Sequence, residues 1–224
     1  MISCFVTGTD TGVGKTLASC TLLHALARRH RRVVGMKPVA AGAEPDGHGG
    51  CANEDAIALR AASTLAVPPS LDNPLLLPDP VSPHIAAERA GVTVQLQAIL
   101  HAYQQLAAQA DAVVVEGAGG WQVPLSHDLR IADLAVALQL PVVLVVGLRL
   151  GCINHALLTA DAIRASGLPL VGWMASRVDP GMREPEANMA YLRQHLGAPL
   201  LADIPWQARP DARTVPVTLP EEWQ

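Results

Sequence analysis

Short runs of consecutive apolar residues recur along the chain and alternate with longer segments that have helical spacing. The apolar runs predict strands at residues 2–6, 32–36, 111–116, 141–146, 168–174 and 200–204. The helical patterns predict helices at residues 15–29, 53–62, 84–90, 94–108, 131–139, 152–166 and 186–196. Strands that are apolar throughout are typical of parallel sheets covered on both faces. We therefore predict α/β architecture: one doubly wound, mostly parallel sheet with helices on both faces, in a single domain over residues 1–224.

Two connecting segments are predicted to lack regular structure. Residues 39–50 are rich in glycine and alanine, and residues 65–83 contain six prolines. Proline lacks a backbone donor and fixes its own φ angle, so it disfavours both helix and central strand. We predict that both segments are largely irregular.

The loop after the first strand has the composition of a phosphate-binding loop. A run of Gly, Thr and Asp leads to Gly14-Lys15-Thr16 at a predicted helix start. Backbone N–H groups and the helix N-terminus attract phosphate, Lys15 adds a full charge, and a Thr16 hydroxyl suits Mg²⁺. The usual spacing places four residues between the first glycine and the Gly-Lys pair, whereas here five separate Gly8 from Gly14. A phosphate-loop NTPase type of fold is nevertheless predicted.

A dinucleotide-binding fingerprint is the alternative interpretation of this loop. It requires a third glycine at position 17, where the chain has Leu17. It also requires an acidic residue after the second strand, where the chain has Lys37. Both departures favour the phosphate-loop interpretation.

Polar residues after the other strands are candidate site residues, because ligands of open parallel sheets bind at the carboxyl ends of strands. Lys37 and Lys15 are the only lysines among sixteen cationic residues, which favours a specific role for both. They are the candidate catalytic residues, since two ammonium groups stabilise a transferring phosphoryl group. Gly151 to Asn154 open a helix whose free N–H groups could bind a carboxylate.

Three candidates also have simpler structural interpretations. Glu116 is predicted to end its strand just before a glycine-rich segment, which favours a Mg²⁺-site carboxylate over a solvent-facing end. Asn53 is predicted to cap the helix that follows it. Asp55 lies in the first turn of that helix, where a simple capping charge is an equal alternative. Cys152 is interpreted as a packed residue rather than a nucleophile, because no base is placed beside it.

Charge and hydropathy exclude several classes of function. A formal net charge of −4 gives no electrostatic basis for binding nucleic acid or an anionic membrane. The single basic run, residues 28–32, falls at a helix end, where cations complement the dipole. The N-terminus has no basic region before its apolar run, and no segment is long enough to span a bilayer. The expected location is the cytoplasm.

Seven short motifs together resemble the dethiobiotin synthetase family of biotin biosynthesis. They lie at residues 8–16, 37–39, 53–55, 82–84, 115–121, 151–155 and 204–206. The unusual glycine spacing of the loop is itself the form found in that family. The resemblance extends from about residue 3 to residue 207.

The resemblance implies an ATP-dependent ligase that closes a ring from 7,8-diaminononanoate and CO₂ (or bicarbonate), with ATP and Mg²⁺ as cofactors. It implies that Thr16, Asp55 and Glu116 hold Mg²⁺. The implied nucleotide-binding residues are Gly12, Val13, Gly14, Lys15, Thr16, Leu17, Asp55, Glu116, Gly117, Ala118, Gly119, Ser176, Pro205, Trp206 and Gln207. The implied substrate-binding residues are Thr11, Lys37, Ala41, Gly151, Cys152, Ile153 and Asn154. The last four would come from a second subunit, which implies a homodimer.

Three positions depart from the family pattern. Gly12 stands where many members carry Glu, Ala41 replaces a common Ser, and Ser176-Arg177 replace an Asn-Asp pair near the adenine. A nucleotide-switched ATPase of the partitioning type, acting through protein partners, is the alternative function. Such proteins typically carry an extra lysine early in the loop, where this chain has Gly8-Thr9-Asp10-Thr11. The synthetase domain of cobyric-acid-type amidotransferases is a third possibility, disfavoured because no glutaminase domain follows.

Overall fold

The computed structural model describes residues 1–45 and 50–223. Within them, six strands form one sheet: β1 (Ile2–Gly8), β2 (Val33–Met36), β7 (Ala112–Gly120), β8 (Val142–Gly147), β9 (Leu170–Ser176) and β10 (Leu200–Ile204). The sheet is fully parallel, with the strand order β10-β9-β8-β1-β7-β2. The prediction of a doubly wound parallel sheet is confirmed.

Side chains alternate between the two faces of the sheet, so each strand contributes to two hydrophobic layers. Cys4 and Val6 of β1 pack into one core cluster, whereas Phe5 between them packs into the other. The same alternation holds along β7, where Val114 and Val115 belong to opposite layers. Both layers are covered, which explains why the strands are apolar throughout.

Helices cover both faces. One face carries α1 (Lys15–Ala27), α2 (Glu54–Ala62) and the C-terminal segment, in which Trp223 is buried. The other face carries α5 (Leu96–Ala107), α6 (Ile131–Leu138), α7 (Cys152–Ala165) and α8 (Pro185–His195). The short helices are α3 (Pro69–Asp72) and α4 (Pro83–Arg89), with 3₁₀ turns at Ala212–Thr214 and Glu221–Trp223. In the described part of the chain, no helix is both long and apolar enough to cross a membrane.

The two segments predicted to be irregular contain short strands. β3 (Val39–Ala41) pairs in parallel with β6 (Leu75–Leu77), and β4 (Glu44–Pro45) pairs antiparallel with β5 (Cys51–Ala52). Residues 46–49 of the first segment lie outside the described residues. The prediction was wrong here because proline and glycine disfavour strands locally, while the ladder between β3 and β6 joins residues distant in sequence.

The sequence predicts that the strand containing Glu116 ends at that residue. In the structure this strand, β7, continues to Gly120. The pairing partner of Gly120 is Gly8 of β1, after an irregularity in register that follows the pair Val6 and Glu116. Glycine disfavours strands because it gains the most freedom on unfolding, and tertiary pairing overrides that preference here. Glu116 is therefore an interior strand residue, fully buried.

Candidate active site

The phosphate loop leads into the start of α1, which has no side-chain cap within the described part of the chain. Gly14 is the residue before α1, has a φ angle of 80°, and provides no side-chain cap; the first turn holds no acidic residue. A Cβ at Gly14 would lie 2.6 Å from the Ser176 hydroxyl, so only glycine fits. Gly12 has a φ angle of 70° with open space where a Cβ would point. The loop leaves donors at α1 free for an anion.

Lys15 lies over this loop with most of its donor capacity unused. Its Nζ donates to the backbone oxygen of Asp10 at 3.1 Å, its one hydrogen bond within the described residues. Burial and the nearby Lys37 ammonium lower the pKa of Lys15 from the usual 10.5 to about 8. A bound polyphosphate would favour the charged form and receive the remaining donors.

Lys37 is the centre of a buried ionic network. Its Nζ donates to Glu116 Oε1 at 2.7 Å, to Asp55 Oδ2 at 2.8 Å and to the Gly117 carbonyl at 3.3 Å. Lys37 is 4% exposed and Glu116 is fully buried. Burial opposes the charged ammonium, but the carboxylates of Glu116 and Asp55 outweigh it and raise the pKa of Lys37 above its usual value. Lys37 is therefore a cation at neutral pH.

Thr16 brings its hydroxyl to the same two carboxylates. Thr16 Oγ1 lies 2.6 Å from Asp55 Oδ1 and 3.0 Å from Glu116 Oε1. Burial opposes the charged carboxylate of Asp55, but Lys37 and the Thr16 hydrogen bond hold its pKa below the usual value. Glu116 Oε2 is buried and has no hydrogen-bond partner among residues 1–45 and 50–223. One hydroxyl and two carboxyl groups supply hard oxygen donors, and Oε2 of Glu116 leaves capacity for a cation, so these residues fit Mg²⁺.

Strand register and helix capping produce this arrangement. Met36 of β2 pairs with Val115 of β7, so the residues that follow, Lys37 and Glu116, become neighbours across the ladder. The Asn53 side chain accepts from the Asp55 backbone N–H at 3.0 Å and caps α2, as predicted. The first turn of α2 thereby presents Asp55 to Lys37 and Thr16.

A cavity of about 760 Å³ opens above these groups. Its volume lies in the range typical of small-molecule sites. Ten of the residues proposed from sequence line it: Thr11, Gly12, Gly14, Lys15, Thr16, Lys37, Ala41, Asp55, Ala118 and Gly119. The structure thus brings the phosphate loop, both lysines and part of the expected substrate-binding set to one cavity.

Other proposed residues surround the cavity without lining it. The Val13 side chain is buried in the core beneath the loop, and Leu17 packs partly buried against the same layer. Glu116 and Gly117 lie under Lys37, and Ser176 packs against Gly14 from below. Pro205, Trp206 and Gln207 are exposed after β10.

Gly151, Cys152, Ile153 and Asn154 do not line the cavity of their own chain. They form the start of α7, and Gly151, with a φ angle of 96°, is the residue before the helix. Cys152 is 1% exposed, with its Sγ 4.0 Å from Asn188 Oδ1. Cys152 is thus a packed residue, and the exposed surface here belongs to Gly151 and Asn154.

Several lining residues were not proposed from sequence as site residues: Asn53, Glu54, Pro80, Val81, Ser82, Pro83 and Val123. Asn53 was interpreted only as a cap, and its Nδ2 also donates to the Gly42 carbonyl at 3.0 Å. The motif at residues 82–84 was a signal for one wall of the cavity. No local pattern indicated Val123.

The sheet and the loop define a phosphate-loop nucleotide-binding protein. Solved structures agree with this fold. A ParA family ATPase from Chlorobium tepidum TLS superimposes with a TM-score of 0.54 at 14% identity, covering 92% of this chain and 85% of that one. The MinC:MinD cell division protein complex of Aquifex aeolicus gives a TM-score of 0.56 at 13% identity, with 93% and 83% covered. At these identities the likeness shows the fold alone.

Sequence comparison gives the family. A family described as "AAA domain" matches residues 3–214. The ATP-dependent dethiobiotin synthetase BioD of Xanthomonas axonopodis pv. citri (strain 306) is 56% identical over 210 residues, covering 94% of this chain and 93% of the relative. The enzyme of the same name from Ralstonia nicotianae is 57% identical, covering 94% and 91%. The chain belongs to the dethiobiotin synthetase family.

The lowered pKa of Lys15 predicts a pH-dependent affinity for ADP. Above about pH 8 the free protein holds Lys15 neutral, so ADP binding must take up a proton, and affinity should fall by up to about tenfold per pH unit. Below that pH the lysine is already charged and contributes no slope. Calorimetric titrations from about pH 7.5 to about pH 9.5 measure this dependence.

Lys15→Arg is the matched control, since arginine stays charged throughout this range. Its ADP affinity should be lower but nearly independent of pH above 8. Equal slopes for the variant and the wild type would contradict the assignment to Lys15.

Proposed function

We propose that this member of the dethiobiotin synthetase family closes the ureido ring of dethiobiotin from 7,8-diaminononanoate, CO₂ and ATP in the cavity above Lys37. The observation that carries this proposal is that one cavity joins the phosphate loop, two lysine cations and the β3 residue Ala41. A phosphoryl acceptor bound there lies between the two cations. The near full-length likeness to ATP-dependent dethiobiotin synthetases supports the reaction class.

The reaction proceeds in three steps. One amine of the substrate adds to CO₂ and loses a proton, giving a carbamate. A carbamate oxygen attacks the γ-phosphorus of ATP, the bond to the bridging oxygen breaks, and ADP leaves. The second amine attacks the carbonyl carbon of the resulting mixed anhydride, loses a proton and expels phosphate. Each step moves negative charge onto oxygen atoms, which cations stabilise.

The two lysines divide the electrostatic work. Lys15, whose Nζ makes one hydrogen bond within the described residues, binds the phosphates. Lys37, held charged by Glu116 and Asp55, presents its positive field to the carbamate and the transferring phosphoryl group. Thr11 and Ala41, which line the cavity, contact the diamine.

Thr16, Asp55 and Glu116 would hold Mg²⁺, for which their oxygens fit. The ion would supply charge neutralisation on the ATP phosphates. In the same proposal, residues 176 and 205–207 lie beside the base, and Gly117 to Gly119 beside the nucleotide.

We further propose that the catalytic unit is a homodimer, with Gly151 to Asn154 of one chain receiving the substrate carboxylate of its partner. Support comes from two apolar side chains beside this segment: Leu150 is 92% exposed and Leu158 of α7 is 62% exposed. Large apolar side chains at such exposure favour burial against a second surface. A second copy of the chain covers them in this proposal.

ADP formation should require both 7,8-diaminononanoate and bicarbonate, because no carbamate acceptor exists without them. Omitting either should lower turnover by about 100-fold or more. A coupled ADP assay, with ¹³C-bicarbonate traced into dethiobiotin by mass spectrometry, measures this. Equal ADP release without the diamine would instead favour the partitioning-type ATPase.

Binding of Mg²⁺ at Glu116 should be visible without turnover. ADP with Mg²⁺ should raise the melting temperature of the wild type more than ADP with a chelator does, because each bound ligand stabilises the folded state. Glu116→Gln should lose the extra Mg²⁺-dependent increment and keep the part due to ADP alone. Glu54→Gln, which changes a neighbouring carboxylate outside the proposed set, is the control. An unchanged increment in Glu116→Gln would rule out this ligand.

Sedimentation equilibrium should give twice the 23.5 kDa mass of one chain. Leu158→Asp should shift the protein to monomer and raise the KM for the diamine, since a charge at the interface is costly to bury. Val92→Asp, at a side chain that is 41% exposed away from α7, should change neither. A wild-type monomer with full activity would refute the shared site.

A further inference from the structure

Asp10 is the point at which the phosphate loop is tied to the rest of the site. Its Oδ1 accepts from the Thr11 backbone N–H at 2.7 Å, and its backbone oxygen accepts from Lys15 Nζ at 3.1 Å. Its Oδ2 accepts from Arg149 Nη2 in an ion pair across 139 residues of sequence. One residue therefore orients both a proposed substrate contact and a proposed catalytic cation.

Arg149 belongs to the turn between β8 and α7, which is rigidly held. The Cys152 N–H donates to the Arg149 carbonyl at 3.0 Å, and the Leu148 N–H donates to the Ser176 carbonyl at 2.7 Å. Leu148 is 1% exposed, which anchors the turn in the core. The Arg149 side chain thus reaches the phosphate loop from a fixed base, two residues before Gly151.

We infer that Asp10 and Arg149 form a positioning pair that holds the phosphate loop against the turn preceding α7. The inference rests on the proposed function in one respect, namely that Gly151 to Asn154 bind the partner's substrate. The pair then connects the nucleotide loop of one active site to the carboxylate-binding segment that serves the other. Neither side chain lines the cavity, so both act through Thr11, Lys15 and the start of α7.

The alternative interpretation is that Asp10 and Arg149 form a surface ion pair without a functional role. The side chains of Arg149 and Asp10 are 40% and 48% exposed, and exposed pairs contribute little to stability. A contribution to global stability is therefore a poor explanation for the ion pair between Asp10 and Arg149. Small displacements of reacting groups, in contrast, lower the reaction rate by large factors.

Arg149→Met and Asp10→Asn test the inference. Each should raise the KM for the diamine and lower kcat, giving about a tenfold or greater loss in kcat/KM. The kcat/KM of the double variant should be no lower than that of the more impaired single variant, because both changes remove the same interaction. Arg149→Lys, which keeps the charge, should restore most of the activity. Urea midpoints should stay close to the wild type.

The matched control is Arg32→Met. Arg32 pairs with Asp111 at 2.7 Å, also across a long stretch of sequence, but at the opposite end of the sheet, ahead of β2 and β7. Its kcat/KM should match the wild type. Single variants at Asp10 and Arg149 within twofold of the wild type, or additive losses in the double variant, would overturn the inference.

Binding of Mg²⁺-ADP separates this inference from the proposed function. Loss of support for Thr11 and Lys15 should weaken ADP binding by about fivefold or more in Arg149→Met, whatever the second substrate is. Absence of diamine-dependent turnover in the wild type would refute the proposed function alone. Unchanged ADP affinity in both single variants would refute the positioning pair alone.

Discussion

The buried contact between Lys37 and Glu116 is the constraint on which the site depends. Glu116 lies inside a strand at zero exposure, and an ion there without a partner would cost several kcal/mol. Lys37 compensates that charge and is held ionised by it, while Asp55 completes the network from α2. Such pairs rarely add stability over apolar residues, so its presence points to function. The adjacent registers of β2 and β7 fix it in place.

Much of the fold could be predicted because its strands are apolar on both faces. Continuous apolar runs gave the six sheet strands to within a few residues, and the Asn53 cap located α2. The errors arose where local propensity and tertiary pairing disagree. Glycine after Glu116 suggested a loop, but pairing of Gly120 with Gly8 continues the strand. The pairing of β3 with β6 joins segments more than 30 residues apart, which no local pattern reports.

The sequence indicated which residues belong to the candidate site better than it indicated which of them contact each other. The scarcity of lysine singled out Lys15 and Lys37, and the strand ends singled out Glu116. That Lys37 and Glu116 bind each other depends on register between two strands, which sequence alone does not give. Likewise, Arg149 carried no motif, and its contact with Asp10 spans 139 residues. The placement of Gly151 to Asn154 away from the cavity of their own chain is likewise a matter of tertiary structure, which no local pattern reports.

The two lysines differ in a way that explains why neither position carries the arginine used elsewhere in the chain. All three donors of Lys37 are engaged, by Glu116, Asp55 and the Gly117 carbonyl. A compact ammonium satisfies these three acceptors, whereas a planar guanidinium with five donors would leave some unpaired in a buried position. Lys15, in contrast, uses one donor on the Asp10 carbonyl within the described residues, which leaves two donors for a ligand. One lysine thus holds the site's carboxylates together, and the other is ready to bind phosphate.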